Sequence, residues 1–224
     1  MADDTWVPRR FRLLVFDWDG TLADSTALIA DSIQRACRDI SEPVPDDETA
    51  RYVIGLGLAD MLRHIAPGLS PDRTGELIAR YRHHFLTRDA EIPLFEGIRG
   101  LLDALDGSGF LLGVATGKSR QGLERAMAQQ GIGHRFVATR CADEGFPKPH
   151  PDMLLHLMER TGFAPEETLM IGDTTHDLEL ARNAGTAAVG VAYGAHEPEG
   201  FAAFDPLATV HSVPELREWL RGNA

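Results

Sequence analysis

The stretch "LLVFDWDGTLADST", residues 13–26, decides the reading of this chain. Four apolar residues run straight into Asp17, so a buried strand ends on a carboxylate, and Asp19 follows two positions later with Gly20, Thr21 and Asp24 close behind. Carboxylates repel one another and are costly at the end of a buried strand unless something of opposite charge completes them. A chain that places two there has a use for the repulsion.

Working outward, short apolar runs recur at 12–16, 110–115, 135–139, 168–172 and 187–191, with a weaker one at 208–210. Helical patterns lie between them. Ser119 stands where a helix would be capped and Gly131 where it would end; Pro151 opens "PDMLLHLMERTG", and "THDLELARNAG" closes on Gly185. Strands alternating with helices predict an α/β fold: a doubly wound, Rossmann-like parallel sheet with helices on both faces.

One region breaks the rhythm. From about 25 to 92 the apolar spacing is helical throughout, with Ile29, Ile33, Cys37 and Ile40 on one stripe and Leu77, Tyr81 and Phe85 on another, the second helix starting at Ser70–Pro71. The expected organisation is therefore a core of residues 1–24 and 93–224, interrupted by an all-helical cap domain over 25–92, with Pro43, Pro45 and Gly55–Gly57 in its loops.

Ligands of open parallel sheets bind beyond the carboxyl ends of the strands. Those ends carry Asp17 and Asp19, then Thr116, Gly117 and Lys118, then Lys148, then Asp173 and Asp177. Carboxylates gathered at one edge suit a hard divalent cation such as Mg²⁺, with Asp17, Asp19 and Asp173 as its candidate ligands. The Lys148 ammonium, the Thr116 hydroxyl and the backbone of the tight turns at Gly20 and Gly117 supply donors for a phosphoryl group. Asp17, nearest the strand end, is the candidate nucleophile, and Asp19 the candidate acid and base.

Composition narrows the partners. The chain has 224 residues with 22 Lys+Arg against 34 Asp+Glu, a net charge of −12 that repels nucleic acid and anionic membranes. No apolar run approaches the roughly 20 residues of a membrane span, and "MADDTWVPRR" lacks the apolar core of a signal peptide, so a cytoplasmic protein is expected. Cys37 and Cys141 have no metal or redox spacing and read as buried thiols. Arg51 and Arg63, near Gly55–Gly57, are candidates for meeting a substrate carboxylate; His176 is expected at the surface. A monomer and a homodimer are both compatible with the sequence.

These strand-end residues resemble the haloacid dehalogenase superfamily. "DWDGT" looks like its first motif, Thr116 its second, Lys148 its third and "GDTTHD" its fourth, in order, and the resemblance covers nearly the whole chain. It implies Asp17 as nucleophile, Asp19 as acid and base that also offers its main-chain carbonyl to Mg²⁺, Asp173 as ligand and Asp177 as a partner behind the ligands. Trp18 stands where the family usually has a smaller apolar residue. Asp19 argues against the halide-removing and phosphonate-cleaving branches, which lack it. The stretch after the first motif has no histidine of the phosphomutase kind. "IGLGLADML", "PGLSPDRTGELIARYRHHF" and "ATGKSR" resemble the phosphoglycolate phosphatase group. The expectation is a phosphatase acting on a small phosphorylated metabolite, with a phosphomutase or a non-hydrolytic binding protein as alternatives.

Overall fold

The structure, a computed structural model, describes residues 10–224; the reading of "MADDTWVPRR" falls largely on residues 1–9, which lie outside the described ones. Six strands, β1 (Leu13–Phe16), β2 (Leu111–Thr116), β3 (Phe136–Cys141), β4 (Thr168–Gly172), β5 (Ala187–Val191) and β6 (Ala208–Val210), form one parallel sheet in the order β3-β2-β1-β4-β5-β6. The unbroken apolar run of β1 follows from burial on both faces. Leu14 and Phe16 point into a core with α5 (Ile98–Asp106), α6 (Arg120–Gln130) and α9 (Val213–Asn223). Leu13 and Val15 point into another with α7 (Asp152–Thr161) and α8 (Thr175–Ala184).

The chain winds from β1 outward to β3, then returns to lay β4 on the other side of β1. That reversal opens a crevice at the carboxyl ends of β1 and β4, the place where doubly wound sheets bind ligands. Register puts Phe16 level with Val114 and Ile171, so Asp17 and Asp173 both lie just past the sheet's edge.

Four helices lie between β1 and α5: α1 (Thr26–Asp39), α2 (Asp47–Tyr52), α3 (Leu58–Ile65) and α4 (Pro71–Leu86). They bury a core of their own, in which Ile29, Ile33, Cys37 and Ile40 meet Leu77 and Phe85 with Tyr81 alongside, the two expected stripes facing each other. Ser70 caps α4 through the Arg73 N–H, with Pro71 at its first position. The chain leaves and re-joins the sheet unit through a paired neck, where Asp24 N donates to the Pro93 carbonyl at 3.0 Å and Phe95 N to the Leu22 carbonyl at 3.0 Å. Trp18 is fully buried beside the sheet, edge-on to Phe136 at 6.4 Å. Cys37 and Cys141 are free and buried. Among the described residues no helix is long and apolar enough to cross a membrane.

Candidate active site

At the crevice, Lys148 is buried and its Nζ donates to Asp17 Oδ1 at 2.7 Å and to Asp177 Oδ1 at 2.6 Å. Asp177 is fixed from its other oxygen by the Thr174 N–H at 3.1 Å and hydroxyl at 2.7 Å, so Thr174 and Asp177 form a reciprocal cap on α8. Asp173 accepts from the Thr21 hydroxyl at 2.7 Å and from Ala195 N at 2.7 Å. Gly20 sits against it with φ +83°; a Cβ there would lie 2.1 Å from Asp173 Oδ2, so only glycine permits both the turn and the approach.

Asp17, Asp173 and Asp177 each offer an oxygen within 4.8 Å of the others, and all three are buried. One ammonium balances only one of three carboxylates, so two negative charges remain if all ionise. The cost appears in the titration of the group. Burial, with Asp177 and Asp173 beside it, pushes Asp17 well above the usual carboxylate range against the pull of Lys148. Burial and Asp177 push Asp173 up to about 7. Burial works against the Lys148 ammonium, but Asp17 and Asp177 outweigh it and hold the group charged. Asp17 Oδ2 is buried with no hydrogen-bond partner among the described residues. An orphaned carboxylate oxygen beside two uncompensated charges fits a hard divalent cation, and the oxygen-only donor set fits Mg²⁺.

Asp19 parts from this group. The chain turns after Asp17, with Leu22 N and Ala23 N donating back to the Trp18 carbonyl, and the Asp19 side chain faces an adjoining cavity. Its Oδ1 accepts from the Ser25 hydroxyl at 2.7 Å and pairs with Lys118 Nζ at 3.0 Å, while no hydrogen bond falls on Oδ2 among the described residues. Lys118 also lies over the Phe85 ring of α4, 4.9 Å from its centroid. Thr116 is buried, its Oγ1 accepting from Lys118 N at 3.2 Å. The helical segment packs closely on Gly117: a Cβ there would lie 2.5 Å from the Gly55 carbonyl oxygen.

The structure thus brings Asp17, Asp173 and Asp177 within 4.8 Å of one another, with Lys148 bonded to Asp17 and Asp177, and sets Asp19 and Gly117 in the wall of the neighbouring cavity, with Thr116 buried at the strand end behind Gly117. Four placements differ from the sequence reading. The carboxylate trio contains Asp177 where the sequence suggested Asp19, because the turn swings Asp19 toward Lys118 while Asp177, one turn into α8, points back at Lys148. The Gly20 N–H is engaged with the Ala23 carbonyl at 2.9 Å, so that glycine makes room for Asp173 and presents no donor to a phosphate in this geometry. Arg51 and Arg63 do not line the cavity, and Arg63 pairs with Asp60 on its own helix.

His176, expected at the surface, is buried. Its Nε2 meets the Tyr52 carbonyl at 2.8 Å, and His196 Nε2 meets the same carbonyl at 2.9 Å. The Tyr52 ring stacks on His196 at 5.3 Å, with 7° between the planes. Thr21, Ser25, Lys118, Ala195 and His196 were not singled out for these contacts. Thr21, Ser25 and Lys118 carry a local signal, since Thr21 belongs to the first motif and the other two lie within six residues of a first- or second-motif residue; Ala195 and His196 carry none.

The sheet order, the strand-end carboxylates and the buried lysine define a hydrolase of the doubly wound class. The sequence profile of the haloacid dehalogenase-like hydrolases matches residues 14–191, and the chain belongs to that family. It is 35% identical over 211 residues to the probable phosphatase IndB of Dickeya dadantii (strain 3937), covering 91% of each chain. It is 33% identical over 219 residues to the phosphoglycolate phosphatase of Vibrio vulnificus (strain YJ016), covering 93% of this chain and 95% of that one. Among solved structures, the haloacid dehalogenase-like hydrolase SP0104 from Streptococcus pneumoniae superposes with a TM-score of 0.80 at 27% identity, over 93% of this chain and 98% of that one.

Proposed function

We propose that this chain is a Mg²⁺-dependent phosphomonoesterase that acts on a small phosphorylated metabolite through an aspartyl-phosphate on Asp17. The single observation that carries the reading is the Asp17 carboxylate, with one oxygen held by Lys148 at 2.7 Å and the other buried without a partner among the described residues. The family and the phosphatase relatives at 33–35% identity support it.

Asp17 and Asp173, with the main-chain carbonyl of Asp19, would hold the cation, and Asp177 keeps Lys148 in place. When bound, Mg²⁺ neutralises charge on the phosphoryl oxygens. The Asp17 carboxylate attacks phosphorus while Asp19, as general acid, gives a proton to the ester oxygen; the P–O bond breaks and the alcohol leaves. In the second half a water passes its proton to Asp19 and attacks phosphorus, the bond to Asp17 breaks, and inorganic phosphate departs. Lys148 and the Thr116 hydroxyl bind the phosphoryl oxygens, with Gly117 allowing the close approach.

We read residues 25–92 as a cap over a core of 1–24 and 93–224. Its Gly55 carbonyl lies over Gly117, and it closes the site from water during transfer. The test is phosphate release from a panel of phosphomonoesters with Mg²⁺ and with EDTA. Release should require the metal and vanish in Asp17→Asn; full activity in that variant removes the nucleophile assignment.

A further inference from the structure

Beside Asp19, α1, α3, α4 and the loop after β2 enclose a cavity of about 290 Å³. At about 30 Å³ per water it has room for on the order of ten waters, well beyond the volume of a two-carbon acid. One side of it is apolar, lined by Ile29, Val53, Ile54, Met61 and Phe85, each under a tenth exposed, with Tyr81 alongside, while Asp19, Ser119 and Gln121 stand on the other. The cations that reach it are already engaged or wet. Lys118 pairs with Asp19 at 3.0 Å, Arg125 pairs with Asp89 at 2.7 Å, and Arg82 stands on an exposed position. Among the described residues a carboxylate inside meets no cation that is both buried and unpaired in this structure, and burying a charge without a partner is costly. Apolar surface entering the same space displaces water from an apolar wall, which is favourable.

We infer that the alcohol half of the substrate is larger than a two-carbon acid and carries an apolar or aromatic body, seated in this cavity with its ester oxygen at Asp19. The inference rests on the phosphomonoesterase reading and specifies the substrate class of that same site. The Tyr81 hydroxyl offers such a ligand one polar contact; burial and the Asp19 charge keep that phenol protonated.

The test compares kcat/KM of the full chain with Mg²⁺ on ethyl phosphate, 2-phenylethyl phosphate and phosphoglycolate. The first two release primary alcohols of similar acidity, so their ratio reads the cavity. The phenylethyl ester should exceed the other two by about tenfold or more, the lower end of what one methylene decides in an apolar pocket. Met61→Trp, and independently Leu58→Trp on the same wall, should bring the phenylethyl-to-ethyl ratio close to one, with melting curves showing that each variant is folded. If ethyl phosphate or phosphoglycolate is hydrolysed as well as the phenylethyl ester, or if both folded variants keep the ratio, the inference is overturned while the phosphomonoesterase reading stands. Release from none of the three overturns that reading, and the inference with it.

Discussion

Lys148 is one ammonium shared by two carboxylates, Asp17 at 2.7 Å and Asp177 at 2.6 Å, and all three are out of water. Removing a buried partner leaves charge uncompensated, so Lys148→Met should cost about 3–5 kcal/mol of stability. Denaturant unfolding in EDTA measures that loss, and saturating Mg²⁺ should recover part of it. Asp19 is held by different means, and its two contacts predict a graded series. Asp19→Asn, which removes the proposed proton carrier, should lower kcat about 10²–10⁴-fold. Lys118→Met keeps the carboxyl group but frees it to rotate about the Ser25 contact, and should lower kcat by a factor on the order of 10² or less. Steady-state rates on one ester test the order; equal rates for Lys118→Met and the parent chain would show that the ion pair does not aim Asp19. Asp17 and Asp173 are legible in the sequence because each ends an apolar run that can only be a buried strand. The direction of Asp19 is not, since two residues' separation shares a face only if the strand continues, and here the chain turns at once. Lys118, read alone, is a surface lysine in a turn.

Helices and strands are where the sequence speaks most clearly and where its silence is most local. All six strands appear within two residues of the expected ends, because parallel strands buried on both faces are continuous apolar runs bounded by turn chemistry. The α1 and α4 stripes meet as their spacing requires. The short helices α2 and α3 are too brief to show a period, and what they do depends on contacts far away in the chain. At the end of α2 the Tyr52 carbonyl accepts from His176 and His196, residues 124 and 144 positions distant. His196 Nδ1 in turn accepts from Thr175 N at 3.1 Å, which fixes the neutral ring with its proton on Nε2. This clasp ties the helical segment to the sheet unit. His196→Ala removes a hydrogen bond and a stacked ring, a loss of about 1–2 kcal/mol. Amide exchange should therefore accelerate in residues 47–58 and stay unchanged in β1 and β4. Uniform acceleration through the sheet would instead make the contact part of global stability.

Across the whole molecule, the strand-end charges tie folding to pH and, on the proposed function, to a divalent cation. Asp173 is pushed up to about 7 by burial and by Asp177, against 3.8 for an unperturbed carboxyl group. The folded chain then holds a proton that the unfolded chain has released, so without a cation the stability present below about pH 4 is lost progressively as pH rises to 7, then levels. His196 acts in the opposite sense. Burial and the neighbouring His176 hold it down to about 4 from 6.5, so its contribution is present at neutral pH and fades as pH falls below 6.5. The two slopes oppose each other between pH 4 and 7, and a melting curve against pH alone cannot separate them. Mg²⁺ bound as proposed would separate them, because it would compete with the proton on the carboxylates and leave the histidine clasp alone. At a hundredfold excess over its dissociation constant a ligand adds about 2.7 kcal/mol. The rise in Tm produced by Mg²⁺ over EDTA should be full at pH 8, shrink as pH drops through 7 and nearly vanish at pH 5, whereas His196→Ala should leave this increment unaltered at every pH. Melting the parent chain and both Asp173→Asn and His196→Ala across that range decides the matter: an increment that stays constant from pH 5 to 8 would mean that the cation does not bind where Asp17, Asp173 and Asp177 converge.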